Sequence, residues 1–239
     1  MNDIPAAYGA GLRVFLAAPF AQFIDPADGL VQPEWRQRLS ALRTALLNAG
    51  HAVFNAHYNE GWGEWGLSAQ ECVLSDFRAL QCADLVLAYP GTPASTGVAL
   101  ELGWASALRK PAALLLDPAT VYSPMIAALG EVSPVLSLPF GDWTEESVND
   151  AVHSALDWAD ALGIRPGPWG APNLDTALAY CRASAEGNRR DGHASTALTG
   201  PKSTTSAMSI TADGAPPVTA GPRSSRAPGP GRPARYFHD

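Results

Sequence analysis

Between residues 11 and 165, short runs of apolar residues alternate with segments whose apolar positions recur at helical spacing, the pattern of a parallel sheet covered by helices. Arg13-Val-Phe-Leu-Ala17 reads as the first strand, followed by a long loop from Pro19 to Gln32. Glu34 to Ala49 carries Trp35, Leu39, Leu42 and Leu46 on one helical stripe, and Gly50 stops it. His51 to Asn55 is the second strand, and a polar, Trp-rich loop runs from Ala56 to Gly66. Ser68 with Glu71 three residues on forms a capping box for a helix to about Gln81. The third strand, Asp84 to Tyr89, leads into a helix bearing Glu101, then a strand at Ala112 to Leu116 and a short helix near Ser123 to Leu129. A strand around Val135 to Leu138 and a helix from Thr144 to Ala161 complete a βαβαβαβαβα order. The fold class predicted is α/β, a Rossmann-like (flavodoxin-like) five-stranded parallel sheet flanked by helices, with a disordered C-terminal tail.

Composition changes that picture at the C-terminus. With 46% hydrophobic residues among 239, the chain can bury one sizeable core. From Gly187 to Asp239, however, seven Lys and Arg face only three Asp in a Gly, Pro, Ser, Thr and Ala background, although the whole chain is −7. Such a segment buries too little apolar surface to offset its ordering entropy, so disorder is expected there. The domains expected are an α/β catalytic domain over 11–165, a linker or short helix over 166–186 and a basic tail over 187–239. The acidic balance argues against bulk nucleic-acid binding and fits an enzyme for small molecules. The apolar runs are too short for a membrane span and the N-terminus lacks a basic-then-apolar leader, so a cytoplasmic protein is expected. Cys72, Cys82 and Cys181 are scattered, without the spacing of a zinc or redox site.

The chemistry concentrates where the third strand ends. Ala88-Tyr-Pro-Gly-Thr-Pro-Ala-Ser95-Thr-Gly97 is a small-residue loop that opens a helix, and backbone N–H groups there are unpaired and suited to a phosphate, with the Ser95 hydroxyl beside them. Glu101 lies about one turn inside that helix. A Gly- and Ser-rich βα loop is also ordinary α/β architecture, and an early Glu suits the helix dipole. Asp76 sits mid-helix, where Asp is a poor helix former and needs either solvent or a task. A lone His after a strand, such as His57, is more often structural than catalytic. Because ligands of such sheets bind beyond the carboxyl ends of the strands, Ala18, Pro19, Phe20 and Gln22, the Trp62 loop and the Ser95/Gly97 loop are expected around one cleft.

Phe15-Leu-Ala-Ala-Pro-Phe20, Asn55-Ala-His57, Asp76 with Ala83-Asp84, and Ser95-Thr-Gly97-Val-Ala-Leu-Glu101-Leu-Gly103-Trp-Ala105 together resemble the nucleoside 2-deoxyribosyltransferase superfamily, and within it the nucleotide N-glycosidase branch. That branch includes the CMP and hydroxymethyl-CMP hydrolases of nucleoside-antibiotic pathways. The resemblance implies that Glu101 is the nucleophile that attacks the anomeric carbon and that Asp76 handles the leaving base. Ser95 and Gly97 match its 5′-phosphate loop. Ser123, in Tyr122-Ser-Pro-Met-Ile126, resembles a phosphate-binding serine that reaches across a homodimer interface. Pro19, Phe20, His57 and Trp62 are the expected base and sugar contacts, with Phe20 and Trp62 as stacking walls. The likeness to the CMP hydrolases is clearest from Pro19 through Asp25-Pro26 and at Glu60 and Trp62. Two carboxylates suffice for N-glycosidic cleavage, so no cofactor or metal is expected. Ala21 stands where the hydroxymethyl-CMP enzyme carries a basic residue, and Ala17-Ala18 replaces a Gly-Gly. CMP or a related pyrimidine nucleotide is the expected substrate, with a base-exchanging transferase and a non-catalytic nucleotide-binding module as the alternatives.

Overall fold

The computed structural model describes residues 11–65 and 67–167. The expected 187–239 tail, and the 166–186 linker beyond its first two residues, lie outside the described residues.

Five parallel strands form one sheet: β1 (Arg13–Ala17), β2 (Ala52–Phe54), β3 (Leu85–Ala88), β4 (Ala112–Leu116) and β5 (Val135–Pro139). Their order across the sheet is β2-β1-β3-β4-β5. The helices are α1 (Pro33–Asn48), α2 (Ala56–Asn59), α3 (Ala69–Cys82), α4 (Thr96–Ala107), α5 (Pro124–Ala127) and α6 (Glu145–Ala161).

Side-chain alternation along the central strands divides the core into two layers. Val14 and Leu16 of β1 point toward Leu39, Leu42 and Leu46 of α1 and Val148, Val152 and Ala155 of α6. Phe15 and Ala17 point the other way, among Ala79 and Leu80 of α3 and Val98, Leu102 and Ala105 of α4. Burial on both faces is why these strands read as continuous apolar runs.

Local chemistry fixes the helix starts. Ser68 accepts from the Glu71 N–H while the Glu71 carboxylate accepts from the Ser68 N–H, a complete capping box. Ser95, Ser123 and Thr144 each cap a following helix through a side-chain oxygen. Two details depart from the expected pattern. The Ala56–Gly66 loop contains the short helix α2, capped by Asn55, whose side chain accepts from the Tyr58 N–H. The Pro19–Gln32 loop is partly ordered by a 3-10 turn at Ala21–Phe23 and an Ile24–Val31 bridge. Neither has the length or periodicity that marks an element in sequence.

At the opposite end of the sheet from these loops, Asp84 takes the Arg13 backbone N–H at 2.8 Å, its Nε at 2.9 Å and its Nη2 at 2.7 Å. It also takes the Gly167 N–H at 3.1 Å. Among the described residues, no helix is long and apolar enough to cross a membrane.

Candidate active site

The strand order reverses direction at β1, between β2 and β3, and Ala17 of β1 is in register with Ala88 of β3. The loops that follow these two strands leave the sheet from one level, at the switch point where open α/β sheets bind ligands. The first loop supplies Pro19 and Phe20, the second Ser95 and Gly97. Ser95 is half-buried, and its Oγ accepts from the Val98 N–H at 3.5 Å as N-cap of α4. The first amides of α4 have no carbonyl of their own helix to bond. Ser123 caps α5 after β4 in the same way and is exposed, flanked by Val121 and Met125, which are 98% and 82% exposed.

Asp76 of α3 and Glu101 of α4 project from two helices packed against the same face of the sheet. Each has one covered carboxyl oxygen, Oδ1 and Oε2 respectively, with no hydrogen-bond partner among the described residues. Burying a carboxylate without partners penalises its charged form, and both groups respond. Enclosure pushes Asp76 up to about 7. Glu101 is raised well above the usual carboxylate range, by enclosure first and by repulsion from Asp76 second. Two such groups titrate as a set, and a state with one protonated and one ionised suits an acid beside a nucleophile.

The base-side residues divide. Phe20 is half-buried and stacks on the His57 ring with centroids 4.8 Å apart. His57 itself is 1% exposed, and its Nε2–H donates to the Pro19 carbonyl at 3.0 Å. Desolvation lowers its pKa to about 4 against the partial opposition of that bond, so the ring is neutral near pH 7. In the structure His57 lies beneath Pro19 and Phe20 and supports them. Pro19, also buried, takes part through that carbonyl. Trp62 lies inside as well. It is buried in the core, with Arg36 over its ring at 5.4 Å and Tyr58 edge-on, because the turn through Gly61, Trp62 and Gly63 at positive φ folds it under the loop. It presents no open stacking wall.

The neutral state of His57 has a measurable sign. A histidine whose folded pKa lies below its unfolded value of 6.5 contributes stability above that value, and the contribution is lost as pH falls toward 4. His57→Gln is thus expected to be less stable than the wild type at pH 7 and to close the gap by roughly 3 kcal/mol as the pH falls to about 4. Urea denaturation of both proteins across that range checks it, and a constant gap would contradict the neutral assignment.

No protein-family model and no curated protein sequence matches the chain. Solved structures do. The solution structure of BlsM is 31% identical, with a TM-score of 0.54, over 68% of this chain and 99% of that one. The Clostridium botulinum CMP N-glycosidase BcmB is 30% identical over 59% of this chain and 98% of that one, with a TM-score of 0.46. The chain belongs to the nucleoside 2-deoxyribosyltransferase superfamily, in its nucleotide N-glycosidase branch.

In this N-glycosidase-branch chain one buried group went without a role in the sequence reading. Glu60 is 6% exposed and is pushed up to about 8, by enclosure first and by the Asp76 charge second. The sequence marks it only as part of the likeness to the CMP hydrolases, because its burial depends on α2, which the periodicity does not disclose. A groove of about 620 Å³ between α1 and α6, lined by Glu34, Arg38, Trp143 and Glu145 among others, holds none of the candidate residues. Concavity alone therefore does not mark the chemistry here.

Proposed function

We propose that this protein hydrolyses the N-glycosidic bond of a nucleoside 5′-monophosphate, CMP or a related pyrimidine nucleotide, to the free base and a sugar 5-phosphate. The observation that carries the reading is the enclosed pair Asp76 and Glu101, each with a covered and unpartnered carboxyl oxygen, beside the Ser95 helix start. The 31% identity to BlsM over nearly all of its length, and the printed activity of BcmB, support the same branch.

In this mechanism the phosphate rests on the Ser95 hydroxyl and the first amides of α4, including that of Gly97, which fixes the sugar over Glu101. Binding energy from the non-reacting phosphate thereby positions the reacting carbon. Glu101 attacks C1′, the C1′–N bond breaks, and its electron pair leaves with the base, which takes a proton from Asp76. Water then attacks C1′ of the glycosyl ester, releasing the Glu101 carboxylate while the water proton returns to Asp76. Phe20, backed by His57, offers its outer face to the base.

A second copy of the chain completes the site. Leu74 of α3, Leu100 of α4, Val121 and Met125 are large apolar side chains 43% to 98% exposed. A dimer that covers them would carry Ser123, next to Val121 and Met125, to the neighbouring phosphate. Met125→Asp is expected to convert a dimer to monomers in sedimentation and to weaken nucleotide binding about tenfold or more; a monomeric wild type would remove this part of the proposal.

The first test is chromatographic detection of free base from a panel of ribo- and deoxyribonucleoside monophosphates and their nucleosides. Base released from a monophosphate supports the reading. Exchange with an added free base, without hydrolysis, indicates a transferase. In the same assay Ser95→Ala is expected to lower kcat/KM on the monophosphate by about 10- to 100-fold, from one lost charge-assisted hydrogen bond, and to spare any nucleoside activity. Equal losses on both would remove Ser95 from the phosphate role.

A further inference from the structure

Glu60 closes α2, and its backbone is held on both sides: its N–H donates to the Ala56 carbonyl at 2.8 Å and its carbonyl accepts from Trp65 at 3.2 Å. The chain then turns through Gly61 and Gly63, where a side chain would meet the Trp65 ring at 2.8 Å and the Gly29 carbonyl oxygen at 2.5 Å. Glu60 is thereby fixed, with its side chain directed inward. Its carboxyl oxygens meet the Cys72 thiol at 3.9 and 4.0 Å. Cys72 and Asp76 are four residues apart on α3, so they share one flank of that helix. The titratable groups that face Glu60 are Asp76, Cys72 and Glu71, all from α3, while His57 on its own helix is neutral.

A buried carboxyl is costly to keep, and this one stands behind a carboxyl already assigned to the leaving base. Among the described residues no group of three His, Cys, Asp or Glu is arranged to hold a metal, so Glu60, Asp76 and Glu101 do not form a ligand set. Two enclosed carboxyls that repel each other lose their first proton readily and retain the second, because the doubly charged state is expensive.

We propose that Glu60 is a positioning residue that acts through Asp76, the two carboxyls together holding one proton over the working pH range so that the acid for the leaving base stays loaded. The inference rests on the glycosidase reading. When C1′–N breaks, that proton passes from Asp76 to a ring nitrogen or carbonyl oxygen of the base, and Asp76 is left as a carboxylate. The proton released by the attacking water restores the pair to its starting charge. Glu60 touches neither the base nor the sugar. Its carboxyl makes loss of the last proton from the pair unfavourable.

The test has a readout independent of turnover. With carboxyl-labelled aspartate, the NMR signal of Asp76, assigned by its loss in Asp76→Asn, is expected to titrate in two steps in the wild type. In Glu60→Gln its titration is expected to move to lower pH, with the coupling between Asp76 and Glu101 retained. The alkaline limb of the pH–rate profile moves down with it by about one unit, so base release at pH 8 falls about tenfold while rates at pH 6 stay within about twofold. An Asp76 titration that is unchanged in Glu60→Gln, with normal base release in the wild type, overturns the role of Glu60 alone. A shifted Asp76 titration in a wild type that releases no base from any monophosphate fails the glycosidase reading, and the part of Glu60 in cleavage fails with it.

Discussion

Glu101→Gln is expected to abolish base release, by about 10³-fold or more, and at the same time to melt at a higher temperature above neutral pH. The first half follows from the nucleophile role proposed for Glu101. The second follows from enclosure. A carboxyl whose folded pKa lies above its ordinary value of 4.5 contributes stability that is complete below that value and is lost as pH rises through the folded pKa. An amide of the same shape carries no charge to bury, so the variant should keep its melting temperature where the wild type declines, with a gain of about 5 °C near pH 8. Thermal melts of the two proteins at pH 5 and pH 8, beside the base-release assay, check both halves. A variant that is inactive and also less stable at pH 8 would show that Glu101 is held by favourable contacts, contrary to the unpartnered oxygen that the structure assigns it.

The largest loss of stability is expected at the far end of the sheet. Arg13 and Asp84 form a bidentate pair with side chains 8% exposed, and removing one partner leaves the other charge buried and uncompensated. Asp84→Ala should cost about 3–5 kcal/mol, roughly 10–15 °C in Tm. Burial by itself would raise the Asp84 pKa, but the Arg13 hydrogen bonds outweigh it and hold the carboxyl below its ordinary value. That contribution is therefore present above the unfolded value of 3.8 and is lost as pH falls through the folded pKa. The double variant Arg13→Met with Asp84→Leu should be more stable than either single charge deletion. If Asp84→Ala melts with the wild type, the pair contributes nothing and the buried geometry is misjudged.

Much of this arrangement was legible in the chain because it rests on local rules. Continuous apolar runs bounded by Gly, Pro and Asn gave all five strands to within a residue or two, and Ser68 with Glu71 marked the start of α3 from spacing alone. Asp76 and Glu101 stood out as carboxylates in a helix middle and an apolar helix. What could not be read depends on contacts distant in sequence. His57 and Trp62 look like open polar-loop residues until the loop is folded over them. Glu60 acquires its burial only when α2 is wound and α3 is packed. Asp84 looks like part of the chemical motif, and the fold gives it to Arg13, 71 residues earlier.

The register that places Ala17 beside Ala88 works as a gauge for the loops around the candidate site. Each residue of a strand advances the chain by about 3.3 Å and reverses its facing, so a single-residue insertion in β3 would lift the Ser95 loop by that distance relative to Phe20 and turn its entry side. The loops above these strand ends can vary in composition without moving the origin from which both are measured. On the proposed reading, residues 18–32 can be exchanged to alter substrate range while the spacing from phosphate to anomeric carbon stays with β3 and α4, as long as the two alanines remain level.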